Sequence, residues 1–165
     1  MSFFRKLHLI AMSALMIYSL SLCAQTEERN VDLSTVRLDG ISIGDNIDAV
    51  MDSNYTKTNR FPINAGNETI SYEEWRITIS DDVIIKIDAN VYDGVHLSIG
   101  DMDCKKVDEV IDILGDRYRK GWYDREQQLE ELVYLDQDHK VQVSFIYNCS
   151  SEQLVYVVME KGVGD

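Results

Sequence analysis

The sequence predicts an α+β fold: two tandem helix–loop–β-hairpin units, with helices packed on one face of an antiparallel sheet. Three observations carry that expectation. Ile41-Ser42-Ile43-Gly44-Asp45 recurs as Leu97-Ser98-Ile99-Gly100-Asp101, each after an Asp-Gly pair (Asp39-Gly40 and Asp93-Gly94), and self-similarity of this kind marks an internal repeat. Val107, Val110, Ile111 and Leu114 have the i, i+3, i+4, i+7 spacing of a helix with one apolar face. Val141, Val143 and Phe145 alternate with Gln142 and Ser144, as in a sheet buried on one side.

The chain has 165 residues. Arg5 and Lys6 precede a mostly apolar stretch from Leu7 to Leu22, followed by Cys23-Ala24-Gln25. A basic head, a short apolar run and small residues form the layout of a secretory signal, so residues 1–24 are expected to be removed on export. Leu20-Ser21-Leu22-Cys23 also offers Cys23 for lipidation. No later segment is long and apolar enough to span a bilayer. Residues 25–35 read as a polar, flexible lead-in. Residues 36–165 read as one α+β domain built of two repeats, about 36–92 and 93–160.

In the first repeat, Asp45 is placed to cap a short helix carrying Ile47, Val50 and Met51. A long polar loop holding Pro62, the only proline, leads to Trp75–Ile79, a turn at Ser80-Asp81-Asp82, and a strand from Val83 to Val91. In the second repeat Asp103 is the cap and Gly115 the stop of the helix. A polar, aromatic-containing loop (Tyr118 to Gln128) then precedes strand-like runs at Leu132–Leu135, Val141–Phe145 and Leu154–Met159.

Removing residues 1–24, which hold Arg5 and Lys6 and no acidic residue, takes the formal charge from −13 to −15. Such a chain is a poor ligand for nucleic acid, whose phosphates call for Lys and Arg. Cys104 and Cys149 are an even pair for an oxidising compartment and candidates for a disulfide.

Gly40-x-Ser42-x-Gly44 matches the spacing of a hydrolase nucleophile elbow. That motif needs a sharp turn between a buried parallel strand and a long helix, with an acid and a histidine brought alongside. Ser42 between Ile41 and Ile43 reads instead as a strand residue facing away from the core. Gly44 and Gly100 read as backbone hinges between strand and helix. Asp101/Asp103 and Asp136/Asp138 lack the glycine and distant Glu of a calcium loop and read as turn and cap residues. Neither a cofactor nor a metal site is expected. Trp75, Tyr118, Trp122, Tyr123 and Arg125 are the candidate partner-binding residues, because aromatic side chains and Arg in loops anchor protein interfaces.

The openings Ile43-Gly44-Asp45 and Ile99-Gly100-Asp101, each before a short helix, and the Leu114-Gly115 close, repeated behind a signal sequence, resemble the β-lactamase-inhibitor-protein-like proteins. They are also similar to the small outer-membrane-assembly lipoproteins of bacterial envelopes. The resemblance covers about residues 36–160. The first unit departs from it at Ser53-Asn54, where Leu-Gly is expected, and the second carries extra residues before Val107. It implies a non-catalytic role, holding another envelope or extracellular protein on a sheet face or its loops. The expected function is therefore a secreted or periplasmic protein-binding or assembly module. The alternatives are a small hydrolase using Ser42 with His96 or His139, or a binder of a divalent cation or small ligand through Asp101 and Asp103.

Overall fold

The computed structural model describes residues 30–51, 67–92 and 94–162, and the backbone of 57–64. The expected signal segment 1–24, Cys23, residues 25–29, Ser53-Asn54 and Asp93 lie outside the described residues. Eleven strands and two helices are formed among those described. The strands are β1 (Val36–Leu38), β2 (Lys57–Asn64), β3 (Asn67–Tyr72), β4 (Trp75–Ser80), β5 (Val83–Asn90), β6 (Leu97–Ile99), β7 (Met102–Asp103), β8 (Arg119–Asp124), β9 (Leu129–Asp136), β10 (Val141–Asn148) and β11 (Leu154–Lys161). The helices are α1 (Asp48–Met51) and α2 (Val107–Leu114).

This architecture overturns the α+β expectation. Strand makes up 54% and helix 9% of the structure, so the molecule is mostly antiparallel sheet rather than helices layered on a sheet. The physical reason lies in the segments read as loops. Lys57–Asn64, Asn67–Tyr72 and Arg119–Asp124 are strands, and the first helix is a single turn. The outermost of these strands are polar because an edge strand has few buried neighbours, and charge or proline there discourages unwanted pairing.

Eight strands form one sheet in the order β2-β3-β4-β5-β11-β10-β9-β8, and every neighbouring pair is antiparallel. Two four-strand meanders thus meet at the β5–β11 pair. A second sheet, β1-β6-β7, joins the beginnings of the two halves through Val36↔Ile99 and Leu38↔Leu97. Alternation assigns the faces of the large sheet. Trp75, Ile77 and Ile79 of β4, Ile87 and Ala89 of β5, and Val157 and Met159 of β11 point into one core cluster. Leu33, Val36, Leu97, Val50, Val107 and Val110 cover it from the other side.

The two halves share a local hydrogen-bond pattern where chain enters helix. Ile84 N–H donates to Asp45 O and Ile47 N–H to Asp82 O; Leu154 N–H donates to Lys105 O and Val107 N–H to Glu152 O. Asp82 and Glu152 both adopt positive φ, 63° and 60°. These matches set Asp45 beside Lys105, whereas the pentapeptide match sets it beside Asp101. Leu97-Ser98-Ile99 forms β6, while Ile41-Ser42-Ile43 is not a strand.

The expected caps also differ. Asp45 accepts the Ser42 N–H at 2.8 Å and braces a turn, while Asn46 Oδ1 accepts the Asp48 N–H at 2.9 Å. In α2 the Glu109 carboxylate accepts the N–H groups of Lys105 and Lys106 at 2.7 and 2.9 Å, which satisfies donors that a helix start leaves open. Gly115 closes α2 at φ 79°, a conformation that side-chain-bearing residues resist.

The lead-in is anchored from Asn30 onward. Val31 N–H donates to Leu135 O at 2.9 Å, and Leu33, buried in the core, donates its N–H to Asp136 Oδ2 at 3.0 Å. Among the described residues no helix is long and apolar enough to cross a membrane.

Candidate functional site

The face of the large sheet opposite the core carries a cleft of about 630 Å³. Its walls come from β3, β4, β5 and β11, with Tyr123 from β8. Arg76, Lys86, Asp88, Tyr156 and Val158 point into it because they are the outward residues of their strands: Arg76 pairs with Asp88, Val158 with Asp88, and Tyr156 with Asn90. Lys86 Nζ lies 3.8 Å from Asp88 and 3.7 Å from Glu160. Burial raises the Asp88 carboxyl above its ordinary value, and the neighbouring Lys86 and Arg76 partly counter this. At the rim, Tyr72 and Trp75 rings meet at 5.9 Å. Gly94 lets the loop after β5 close against this rim, since a Cβ there would sit 2.6 Å from Glu74 Cγ and 2.9 Å from Asn90 O. The wall is thus aromatic with charges of both signs, the chemistry of a protein-contact surface.

The five candidate partner-binding residues do not form one patch. Trp75 is 3% exposed, although it lines the cleft together with Tyr123. Tyr118 packs on Tyr134 at 5.5 Å and belongs to the core margin. Trp122 is exposed and lies under Arg125 at 5.9 Å, outside the cleft. Of the two neighbours Trp122 and Tyr123, only Tyr123 lines the cleft, and a register shift lies between Trp122 and Asp124. Tyr72 and Tyr156 complete the cleft and were not among the candidates. Tyr156 was detectable as the outward aromatic of β11, but only once its alternation with buried Val157 is read.

A second locus surrounds Asp136, which is 2% exposed. Asp136 Oδ2 accepts Leu33 N–H at 3.0 Å and lies 2.7 Å from His139 Nδ1; Oδ1 accepts His139 N–H at 2.9 Å. Burial pushes this carboxyl up, but the Leu33 and His139 donors outweigh burial and leave it below its ordinary value. The hydrogen bond to Asp136 raises His139. Asp32, Asp136 and His139 each bring one donor atom within 4.8 Å of the others. These atoms have local duties, since Asp32 accepts the Ser34 N–H and Asp136 holds Leu33.

Ser42 and His139 line one small cleft of about 140 Å³ with Asp136 and Asp45. Ser42 is buried rather than turned outward, and its hydroxyl donates to Val36 O at 2.9 Å. That bond commits the hydroxyl hydrogen to the backbone instead of to His139, so Ser42 acts here as a brace of the turn. His96 is elsewhere, its Nε2 at 3.3 Å from Asp103. Asp138 accepts a hydrogen bond from Asn30 at 3.0 Å. Asp101 sits in the β6–β7 turn.

Cys104 and Cys149, the candidates for a disulfide, are both free thiols in the structure. Cys104 is buried, and burial, with Glu109 and Asp103 nearby, pushes its thiol up to about 11. A thiol so raised stays protonated and unreactive.

The chain matches no protein-family model, and neither the curated proteins nor the solved structures contain a match to it.

Proposed function

We propose that this chain is an exported, periplasmic or extracellular protein-binding or assembly module without chemistry of its own, and that its partner docks on the open face of the large sheet. The observation that carries this reading is the cleft in which Arg76, Lys86, Asp88, Tyr123 and Tyr156 converge. Tyr and Arg, here Tyr123, Tyr156 and Arg76, are among the side chains that dominate the energetics of protein interfaces. An antiparallel sheet covered on one side leaves a broad, rigid platform on the other. The resemblance of the two Ile-Gly-Asp segments to the β-lactamase-inhibitor-protein-like and small outer-membrane-assembly lipoproteins points to the same kind of role.

Capture of envelope proteins with the chain as bait tests the proposal. A specific partner should be retained by the wild type and by Glu126→Ala, which is exposed on a remote turn. Arg76→Ala combined with Tyr156→Ala should weaken retention by about tenfold or more, the scale of lost interface anchors. Equal retention by all three proteins would remove the basis of the docking face. Intact mass of the exported protein reads the expected cleavage after Ala24 and any lipid on Cys23 in one measurement.

A further inference from the structure

The large sheet has two edges, and they are defended differently. β2 carries Pro62, which has no N–H to offer, and its register with β3 shifts twice, between Lys57 and Asn59 and between Pro62 and Asn64. Both features blunt an edge. β8, at the other edge, has no proline and one shift, between Trp122 and Asp124. Among the described strands it is hydrogen-bonded to β9 alone. Trp122 is 47% exposed and Tyr123 54%, an unusual load of apolar surface for an unpaired edge.

The order of residues on β8 identifies what fits there. Two cations, Arg119 and Lys120, precede Gly121, and two aromatic residues, Trp122 and Tyr123, follow it. In an antiparallel pair of identical strands related by a two-fold axis, opposed residues must both turn their backbone groups inward or both outward. The axis therefore passes at a residue that faces its own copy. We propose that two copies of this chain pair antiparallel along β8, with Gly121 on the axis. Lys120 then faces Trp122 of the second copy, so that this ring meets Arg125 of its own chain and Lys120 of the other; Tyr123 is the extra residue at the register shift between Trp122 and Asp124, and the regular ladder ends at Trp122. Each opposed pair lies on a single face of the joined sheet, and Gly121 places no side chain at the crossing.

Contacts of this kind already occur within one chain. Arg125 lies over the Trp122 ring at 5.9 Å, and Lys120 over the Tyr147 ring at 5.7 Å. The Lys120 ammonium is held at its place by Glu130 at 2.7 Å, which in turn accepts the Tyr147 hydroxyl at 2.7 Å. Arg119 makes no ion pair among the described residues. β8 carries two cations, Arg119 and Lys120, and one acid, Asp124, in a chain whose net charge is −13, which lessens the repulsion that two acidic copies meet elsewhere.

Sedimentation of the purified full chain in a mild non-ionic detergent, over a range of concentrations, tests the pairing. A dimer should grow in with concentration. Trp122→Lys, which sets cation against cation at two places, should raise the midpoint at least tenfold while leaving the circular dichroism spectrum unchanged. Gly121→Cys reads the register. A Cβ there meets only Glu131, at 3.5 Å, so the variant folds. Two self-facing residues lie about 4.5–5.5 Å apart between Cα atoms, within disulfide reach. Mild oxidation should link Gly121→Cys into a covalent dimer and link Glu126→Cys no more than wild type. A chain that stays monomeric, a dimer indifferent to Trp122→Lys, or equal cross-linking at 121 and 126 would each overturn the proposal. The open-face reading would survive any of these results, because Trp122 and Gly121 do not line the cleft.

Discussion

The first and second meanders occupy mirrored places in the strand order, yet they fill their cores differently. In β3–β5 the interior is aliphatic, with Ile70, Ile77, Ile79, Ile84 and Ile87, and one aromatic contact between Tyr72 and Trp75 at its end. In β8–β11 the interior is a relay of rings. Tyr118 meets Tyr134 at 5.5 Å, Tyr134 meets Phe145 edge-on at 5.8 Å, and the Tyr134 hydroxyl donates to Gly115 O at 2.7 Å. The helices differ as well: α1 is four residues long and α2 eight, and the carbonyl of Gly115, just beyond α2, is the one that Tyr134 reaches. A tyrosine satisfies that carbonyl, where an isoleucine would leave it open. The halves share a hydrogen-bond template at the helix entrance and differ in helix length and in how the core is filled.

Emptying the matched strands tests this contrast most severely. Phe145→Ala, in β10, should cost about 3–5 kcal/mol, and Ile77→Ala, in β4, about 2–5 kcal/mol with the smaller loss at Ile77. Urea denaturation monitored by circular dichroism checks both. A larger loss at Ile77 would mean that the aliphatic half carries the stability.

The lead-in is tied to the second half through Leu135, Asp136 and Asp138. Asp136→Ala should cost about 2–3 kcal/mol, because charge-assisted hydrogen bonds are lost and the buried Leu33 N–H is left without its acceptor. Faster proteolysis near residues 30–35 would accompany that loss. A variant as stable and as resistant as wild type would show that the core contacts of Leu33 hold the segment unaided. Within the ring relay, Tyr134→Phe should cost about 1 kcal/mol by removing the bond to Gly115, measurable in the same denaturation experiment.

The smallest expected effect is a pH dependence. His139 is raised above its ordinary 6.5 by the bond to Asp136. Its contribution is therefore complete below 6.5 and is lost as pH rises through the higher folded value. Asp136 lies below its ordinary 3.8, so its contribution is present above 3.8 and is lost as pH falls through the lower folded value. Stability should thus decline on both sides of a mildly acidic plateau. His139→Gln should abolish the alkaline decline and keep the acid one, as read from thermal midpoints across pH. An unchanged alkaline limb would separate His139 from the clasp.

What could be read in advance follows the same division of the molecule. The helical spacing of Val107 and Val110 identifies residues that are buried, and Gly115 is the stop at positive φ. Strands β9, β10 and β11 lie close to the runs expected from alternation. These signals are local and apolar. β2 and β8 were not legible, because polar residues interrupt their sequences, Asn59 and Asn64 in β2 and Arg119 and Lys120 in β8. The order of the sheet, with β5 beside β11, depends on contacts remote in sequence, which no local pattern encodes. The cleft is legible for the same reason only in fragments: Trp75 and Tyr123 stood out as aromatics, but Tyr72 and Tyr156 join them through tertiary structure.

The β5–β11 pair has a consequence for how the chain is made. β11 is the last of the described strands to leave a ribosome, yet it sits in the middle of the finished sheet, bonded to β5 on one side and β10 on the other. Until it arrives, the nascent molecule displays two raw margins where its centre will be, and margins of that kind invite pairing with strangers. Losing residues 154–161 would not shorten the large sheet so much as cut it in two, and the nascent chain needs shielding until that closing stitch is in place.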